Sequence, residues 1–249
     1  MITFVQMIVG EEEILIKPLY LILMKNQLGN VKQCRTLIKH GRVHVNEDII
    51  SDIDFQVNED DVIKVDGQVI DTNVFVYYMM NKPKGYICAN HDKKYPCVID
   101  LIDRKDCYCV GRLDKDTTGF LLLTNDASLS KALLLPDYHV EKTYLVTVLK
   151  PLKEQLIDLF KEGIVIDQKI RCQSARLEII DDFHCYVTIH EGRYHQVKKM
   201  FLSCDNQVTA LKRMSFAGIL LDEQLKEGQF RQLTKREFQK MKEVQKKYF

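Results

Sequence analysis

GRLDKDTTGFLLLTND, residues 111 to 126, sets Arg112, Asp114 and Asp116 directly ahead of two threonines, a glycine and the apolar run FLLLT. A short apolar run bounded by turn residues predicts a buried strand, and charges at its mouth cost free energy unless something pairs or uses them. The stretch therefore predicts a core strand and, at its start, a candidate site.

Further strands are predicted at VFVYYMM (74–80), KTYLVTV (142–148) and CYVTIH (185–190). Lys82-Pro83-Lys84-Gly85 reads as a turn that leaves two cations at the end of the first of these. Helical spacing fits LKEQLIDLFKEG (152–163), with Leu152, Leu156, Leu159 and Phe160 on one face and Gly163 as the cap. A second helix is predicted over HQVKKMFLSC (195–204). Strands and helices mix without regular alternation, which predicts an α+β domain over 75–249 with a mixed, largely antiparallel sheet flanked by helices.

Residues 25 to 45, KNQLGNVKQCRTLIKHGRVHV, carry five Lys/Arg and no Asp or Glu. Val31, Cys34, Leu37 and Ile38 fall on one helix face and Lys32, Arg35 and Lys39 on another, Gly41 ends the helix, and RVHVN alternates with Val43 and Val45 inward. A solvated helix face interleaves both signs of charge. A face aimed at phosphates excludes carboxylates, because each would repel the ligand. The segment closes in DVIKVDGQVI, where Asp66-Gly67 suits a tight turn, and residues 66–74 read as a short connection. Residues 1–16 match no pattern and are taken as an extension; the basic tail from 226 is expected to be a helix, with a solvated face at least as favoured as an RNA contact.

The totals bound the function. With 36 basic and 35 acidic residues in 249, the net charge of +1 leaves any nucleic-acid role to local clustering. Eight cysteines without a C-x-x-C pair, and no apolar leader, read as a reduced, cytoplasmic protein, and the longest apolar runs fall short of a membrane span. Cys107 and Cys109 could share a strand face, but no second Cys/His pair accompanies them, so no metal is expected. No phosphate-loop motif occurs, which removes the nucleotide hydrolase class. HEGRYH (190–195) misses the zinc-protease pattern, with Tyr194 where the second histidine belongs.

Two resemblances then organise these pieces. Residues 17–65, with a basic-faced helix, a GRVxVN strand and a closing D-x-I-x-V strand, resemble the S4 RNA-binding domain. That likeness implies RNA contacts through Lys25, Lys32, Arg35, Lys39 and Arg42. After it, MNKPKGY, GRLDKDTTGFLLLTND, EKTYLV and EGRYHQVKKMF stand in the order found in the RsuA branch of the pseudouridine synthases, and the likeness covers roughly residues 17–235. It implies cleavage of the bond between uracil N1 and ribose C1′, rotation of the base and rejoining through C5. It implies that Asp114 is the catalytic aspartate, as nucleophile or as base, that Lys198 is its ion-pair partner with Lys199 as the alternative, and that Tyr144 stacks on the target base. Arg112, Lys199, Arg193, His195, Gln196, Lys82 and Phe216 are carried over as substrate-binding residues; for Arg112 the competing reading is a surface ion pair with Asp116. In ALKRMSFAG (210–218) the pocket-closing aliphatic residue and glycine of the family are replaced by Phe216 and Ala217.

The Tyr-His-Gln form of the third motif is nearer the small-subunit enzymes than the large-subunit ones, which implies 16S rRNA as partner and, by resemblance, uridine 516 as target. A 23S target and a non-catalytic rRNA-binding assembly protein are the alternatives. The expectation is a monomer that needs no cofactor, metal or membrane.

Overall fold

The computed structural model describes residues 17–58, 60–72, 75–135 and 140–246; the extension 1–16 lies outside them. The chain divides into two compact units, 1–74 and 75–249.

In the first unit the described elements are β1 (Lys17–Pro18), α1 (Leu19–Lys25), α2 (Val31–Lys39), β2 (Val43–Val45), β3 (Asp48–Ile50), β4 (Gln56–Val57), β5 (Ile63–Val65) and β6 (Gln68–Val69). Asn30 starts α2 through a reciprocal capping box: its side chain accepts the Gln33 N–H at 3.0 Å, and Gln33 Oε1 accepts the Asn30 N–H at 2.9 Å. Gly41, at φ +67°, takes the left-handed conformation that ends the helix cheaply only in glycine. Cys34 and Ile38 are buried as expected, whereas Val31, in the first turn, is exposed. Val43 and Val45 point inward and pair with Val65 and Ile63 in a sheet of order β3-β2-β5-β6. Asp66 and Gly67, both at positive φ, turn β5 into β6, so Gln68 and Val69 belong to this sheet although the sequence placed them in a connection.

The second unit contains β7 (Tyr77–Lys82), β8 (Tyr108–Val110), β9 (Thr118–Thr124), α3 (Ala127–Leu134), β10 (Lys142–Val148), α4 (Gln155–Glu162), β11 (Val165–Ile166), β12 (Ile170–Arg171), β13 (Arg176–Ile179), β14 (His184–Ile189), α5 (Gln196–Ser203), β15 (Val208–Phe216), β16 (Ile219–Leu220), β17 (Phe230–Gln232) and α6 (Lys235–Lys246). Its main sheet runs β13-β14-β10-β15-β9-β7-β17, with β16 against β15 and β8 against β9; every pairing is antiparallel except β15 with β9. Both faces of β9 are covered: Leu121 and Leu123 join the main core cluster, while Phe120 packs toward Phe216 at 6.1 Å between ring centres. That double burial is why FLLLT shows no polar alternation.

Two expectations change. In α4 only Leu156 and Phe160, one turn apart, are buried; Leu159 lies about 60° to the other side at 100° per residue and is 46% exposed, and Leu152 precedes the helix. The terminal helix α6 is not a solvated rod, because Phe238 and Met241 are buried and the Phe238 ring lies 4.3 Å from Tyr77.

Gly119 is the tightest point of the sheet. It sits at φ +101°, and a Cβ there would collide with the Arg213 backbone of β15. Gly119→Ala is expected to destabilise the second unit by about 2 kcal/mol or more, through strain and separation of the parallel pair in its main sheet; thermal melting beside the wild type measures it, and an unchanged melting temperature contradicts the packing described.

Candidate active site

The loop from 111 to 117 delivers Arg112, Asp114 and Asp116 to the start of β9, and it is hung from the end of β7. Lys82 is 0% exposed, and its ammonium donates to the carbonyls of Pro83 (3.0 Å), Lys115 (3.4 Å) and Thr117 (3.0 Å). Burial pulls its pKa below the usual lysine value. The Leu113 N–H reaches Cys88 Sγ at 3.3 Å, the Lys115 carbonyl accepts the Gly85 N–H at 2.7 Å, and the Thr117 N–H closes the turn onto the Asp114 carbonyl at 3.1 Å. Lys82 thus holds the loop through carbonyl contacts that its place in the sequence did not indicate.

The ion pairs around Asp114 are assembled from distant segments. Lys198, on α5, places its ammonium 2.9 Å from Asp114 Oδ2 and 2.6 Å from Asp116 Oδ1. His195 Nε2 lies 3.5 Å from Asp114 Oδ1. Desolvation opposes the charge on Lys198, but its bonds to Asp116 and Asp114 outweigh it and raise its pKa. Burial likewise opposes ionisation of Asp116, yet the Lys198 ammonium holds its carboxyl below the usual range. Asp116, which the sequence offers as an ion-pair partner for Arg112, meets Lys198 instead. Arg112 is exposed and, among the described residues, has no ion-pair partner.

Lys199 points elsewhere, 2.6 Å from Asp167 Oδ2, and so is not the partner of Asp114. His195 precedes α5 in a left-handed conformation, φ 55°, and its ring stacks on exposed Tyr194 at 3.8 Å. Gln196 is buried: it donates to Glu191 Oε1 at 2.8 Å and accepts the Arg193 N–H at 3.0 Å. Arg193 itself pairs with Glu191 Oε2 at 2.9 Å. Glu191, missed in the sequence, therefore braces the whole EGRYHQ turn. Phe216 is also buried, against Phe120 and under the Arg213 guanidinium at 5.0 Å. Tyr144 sits mid-strand in β10, 8% exposed and part of the core cluster.

In the first unit Arg35 pairs with Asp54 at 3.2 Å and Arg42 with Asp66, acids from outside the acid-free segment. Lys25 occupies the last turn of α1. Lys32 and Lys39 have no acidic partner among the described residues and line a shallow groove with Arg35, Thr36, Val31 and Ile53. Cys107 is buried, and no three His, Cys, Asp or Glu side chains among the described residues are gathered as metal ligands would be. No helix among them is long and apolar enough to cross a membrane.

Comparison with known proteins matches residues 76–203 to the RNA pseudouridylate synthase family and residues 25–63 to the S4 domain. The chain belongs to the RNA pseudouridylate synthases. It is 38% identical over 214 residues to ribosomal small subunit pseudouridine synthase A of Haemophilus influenzae, covering 84% of this chain and 92% of that one. It is 37% identical over 205 residues to the Escherichia coli K12 protein of the same name, covering 80% and 89%. A crystal structure of a pseudouridylate synthase, 36% identical, superposes with a TM-score of 0.65 over 90% of this chain and 98% of the other. The enzyme thus isomerises uridine to pseudouridine in RNA.

The geometry separates the two lysines of this synthase. Lys198→Met leaves two carboxylates facing each other and is expected to cost about 1–2 kcal/mol, screening at the 60% exposed Asp116 keeping it below the cost of a buried pair. Lys199→Met loses one half-exposed pair and is expected to cost well under 1 kcal/mol, as surface pairs do. The raised pKa of Lys198 adds stability that is lost as pH climbs through its folded value, and the lowered pKa of Asp116 adds stability that is lost on acidification through its own. The deficit of Lys198→Met is therefore widest between those limits, and melting curves across pH test this.

Proposed function

We propose that this synthase modifies 16S rRNA of the small ribosomal subunit, with uridine 516 as the target, and that Asp114 is its catalytic carboxylate. The observation that carries the residue assignment is the Lys198–Asp114 contact at 2.9 Å, which joins the GRLD loop to the third motif 84 residues later. The target follows from the small-subunit names of the relatives and from the Tyr-His-Gln form of the third motif.

The chemistry asks little beyond placement. The N1–C1′ bond breaks, C1′ bonds to C5, C5 releases its proton and N1 gains one, so the net change is an isomerisation. Asp114 begins it as nucleophile or as base, and Lys198 orients the carboxylate while stabilising its charge. Tyr144 supplies an aromatic surface that offsets part of the stacking lost when the base leaves its helix. Arg112, exposed and unpaired, takes a phosphate near the target, and Lys32 and Lys39 hold RNA from the S4 unit. The protein acts in the cytoplasm as a single chain without cofactor.

Asp114→Asn is expected to lower pseudouridine formation by roughly 10³-fold or more, as removal of a reacting group does, with RNA affinity nearly unchanged. Pseudouridine mapping of rRNA from cells carrying the wild type, the variant or neither reads both site and activity; a modified 23S position in place of a 16S one overturns the target, and an active variant overturns the role of Asp114. For binding, Lys32→Ala with Lys39→Ala is expected to reduce the slope of log K against log salt by about 1.4 to 1.8, while Arg42→Ala, already paired with Asp66, changes it little. A salt titration that reverses this order contradicts the S4 assignment.

A further inference from the structure

Arg213 stands outside every role given so far. It is the largest of the almost wholly enclosed side chains, 2% exposed, and its guanidinium is incompletely used. Nε donates to the Phe120 carbonyl at 2.7 Å, the Phe216 ring lies 5.0 Å below, and Nη2 is buried without a hydrogen-bond partner. No carboxylate among the described residues pairs with it. A buried donor left unmet costs about 1–3 kcal/mol, so an orphaned charged donor in a native site calls for a ligand.

The sheet register says where that donor stands. Arg213 pairs with Tyr144 across β10 and β15, next to a register irregularity between Thr143 and Tyr144, and with Gly119 across β15 and β9; Lys82 pairs with the same Gly119 across β9 and β7. Residues directly opposite one another project to the same face of a sheet. Lys82, Arg213 and Tyr144 therefore form one row, broken only by Gly119, which contributes no side chain. Lys82 ties the carbonyls of Lys115 and Thr117 to one end of this row, which puts the Asp114 loop beside it. Cys88, which receives the Leu113 N–H, feels the charge of both Lys82 and Arg213.

Resting on the reading that Tyr144 meets the target base, we infer that Arg213 is a catalytic residue, whose Nη2 donates to a carbonyl oxygen of the target uracil and stabilises the charge that collects there. When N1–C1′ breaks, its electron pair stays with the base and spreads onto the ring carbonyl oxygens; C1′ then bonds to C5, and the C5 proton leaves to solvent. Arg213 keeps its own protons throughout and acts only by charge and hydrogen bond, already oriented by Phe120 and Phe216. A base lying on one aromatic residue presents its edge to the neighbour one strand away, which here is Arg213. A phosphate, bulky and strongly hydrated, suits exposed Arg112 and not an almost sealed guanidinium edge.

Single-turnover kinetics on RNA with uridine, 2-thiouridine or 4-thiouridine at the target test this with wild type, Arg213→Lys and Arg213→Met. Arg213→Met is expected to lose about 10²-fold or more in rate with RNA affinity unchanged. Sulfur at the contacted position is expected to slow the wild type by about tenfold, consistent with losing one hydrogen bond of about 1.4 kcal/mol, and to slow Arg213→Met no further. An Arg213→Met rate within about threefold of wild type, or equal sulfur effects in both proteins, overturns the inference. If Arg213→Met melts before assay temperature, Arg213→Lys decides: it keeps charge and bulk but not the second donor, so wild-type-like sulfur sensitivity overturns the contact and its loss supports it. A methylphosphonate at the target nucleotide that abolishes the difference between Arg213→Lys and wild type assigns the contact to phosphate and also overturns it. Asp114→Asn in the same assay keeps the two readings separate, since its inactivity upholds the proposed chemistry whichever way Arg213 behaves.

Discussion

A single buried ammonium organises the catalytic unit. Lys82 is fully enclosed at the end of β7, and it survives there only because the Pro83, Lys115 and Thr117 carbonyls satisfy it. The bond runs both ways. The loop that closes over Lys82 is thereby held in one shape, and that loop carries Asp114. A lysine that in the sequence stood out only as a cation at a strand end fixes the loop that carries the aspartate.

Electrostatics around that address are lopsided by design of the fold. Two carboxylates, Asp114 and Asp116, share the one ammonium of Lys198, itself 22% exposed. Neither carboxylate is sealed in the apolar core, and orientation is what the surroundings supply. On the sheet beside the loop the sign reverses, with Lys82 and Arg213 both buried and both cationic. A negative group presented over a positive row is an arrangement suited to a reaction in which a base departs with an electron pair and must remain close enough to rejoin.

The S4 unit shows the limit of reading charge from a run of residues. Its acid-free stretch of 21 residues held five cations, but Asp54 and Asp66 arrive from elsewhere in the fold to meet Arg35 and Arg42. Local composition records only the charges along the chain. Which of them stay unpaired depends on what the chain brings back.

Strands and helices with strong periodicity were legible from the start: KTYLVTV forms β10 residue for residue, and FLLLT makes up the last five residues of β9, because burial pattern and backbone geometry are local properties. The order of the motifs likewise sufficed to indicate pseudouridine synthesis and to nominate Asp114 with Lys198, which the fold brings within 2.9 Å of each other. What it could not assign was the state of each polar side chain. Lys82, Gln196 and Phe216 looked like substrate contacts and are buried, Leu159 looked like core and is exposed, Asp116 looked like a partner for Arg112 and meets Lys198, and nothing singled out Glu191 or Arg213. Those outcomes depend on which strand lies beside which, and above all on the one parallel pairing that sets Arg213 against Gly119 and within reach of Tyr144. Partners 69 and 94 residues away in the chain leave no periodic trace, so only the tertiary structure decides whether a charge is spent on the fold or kept for the substrate.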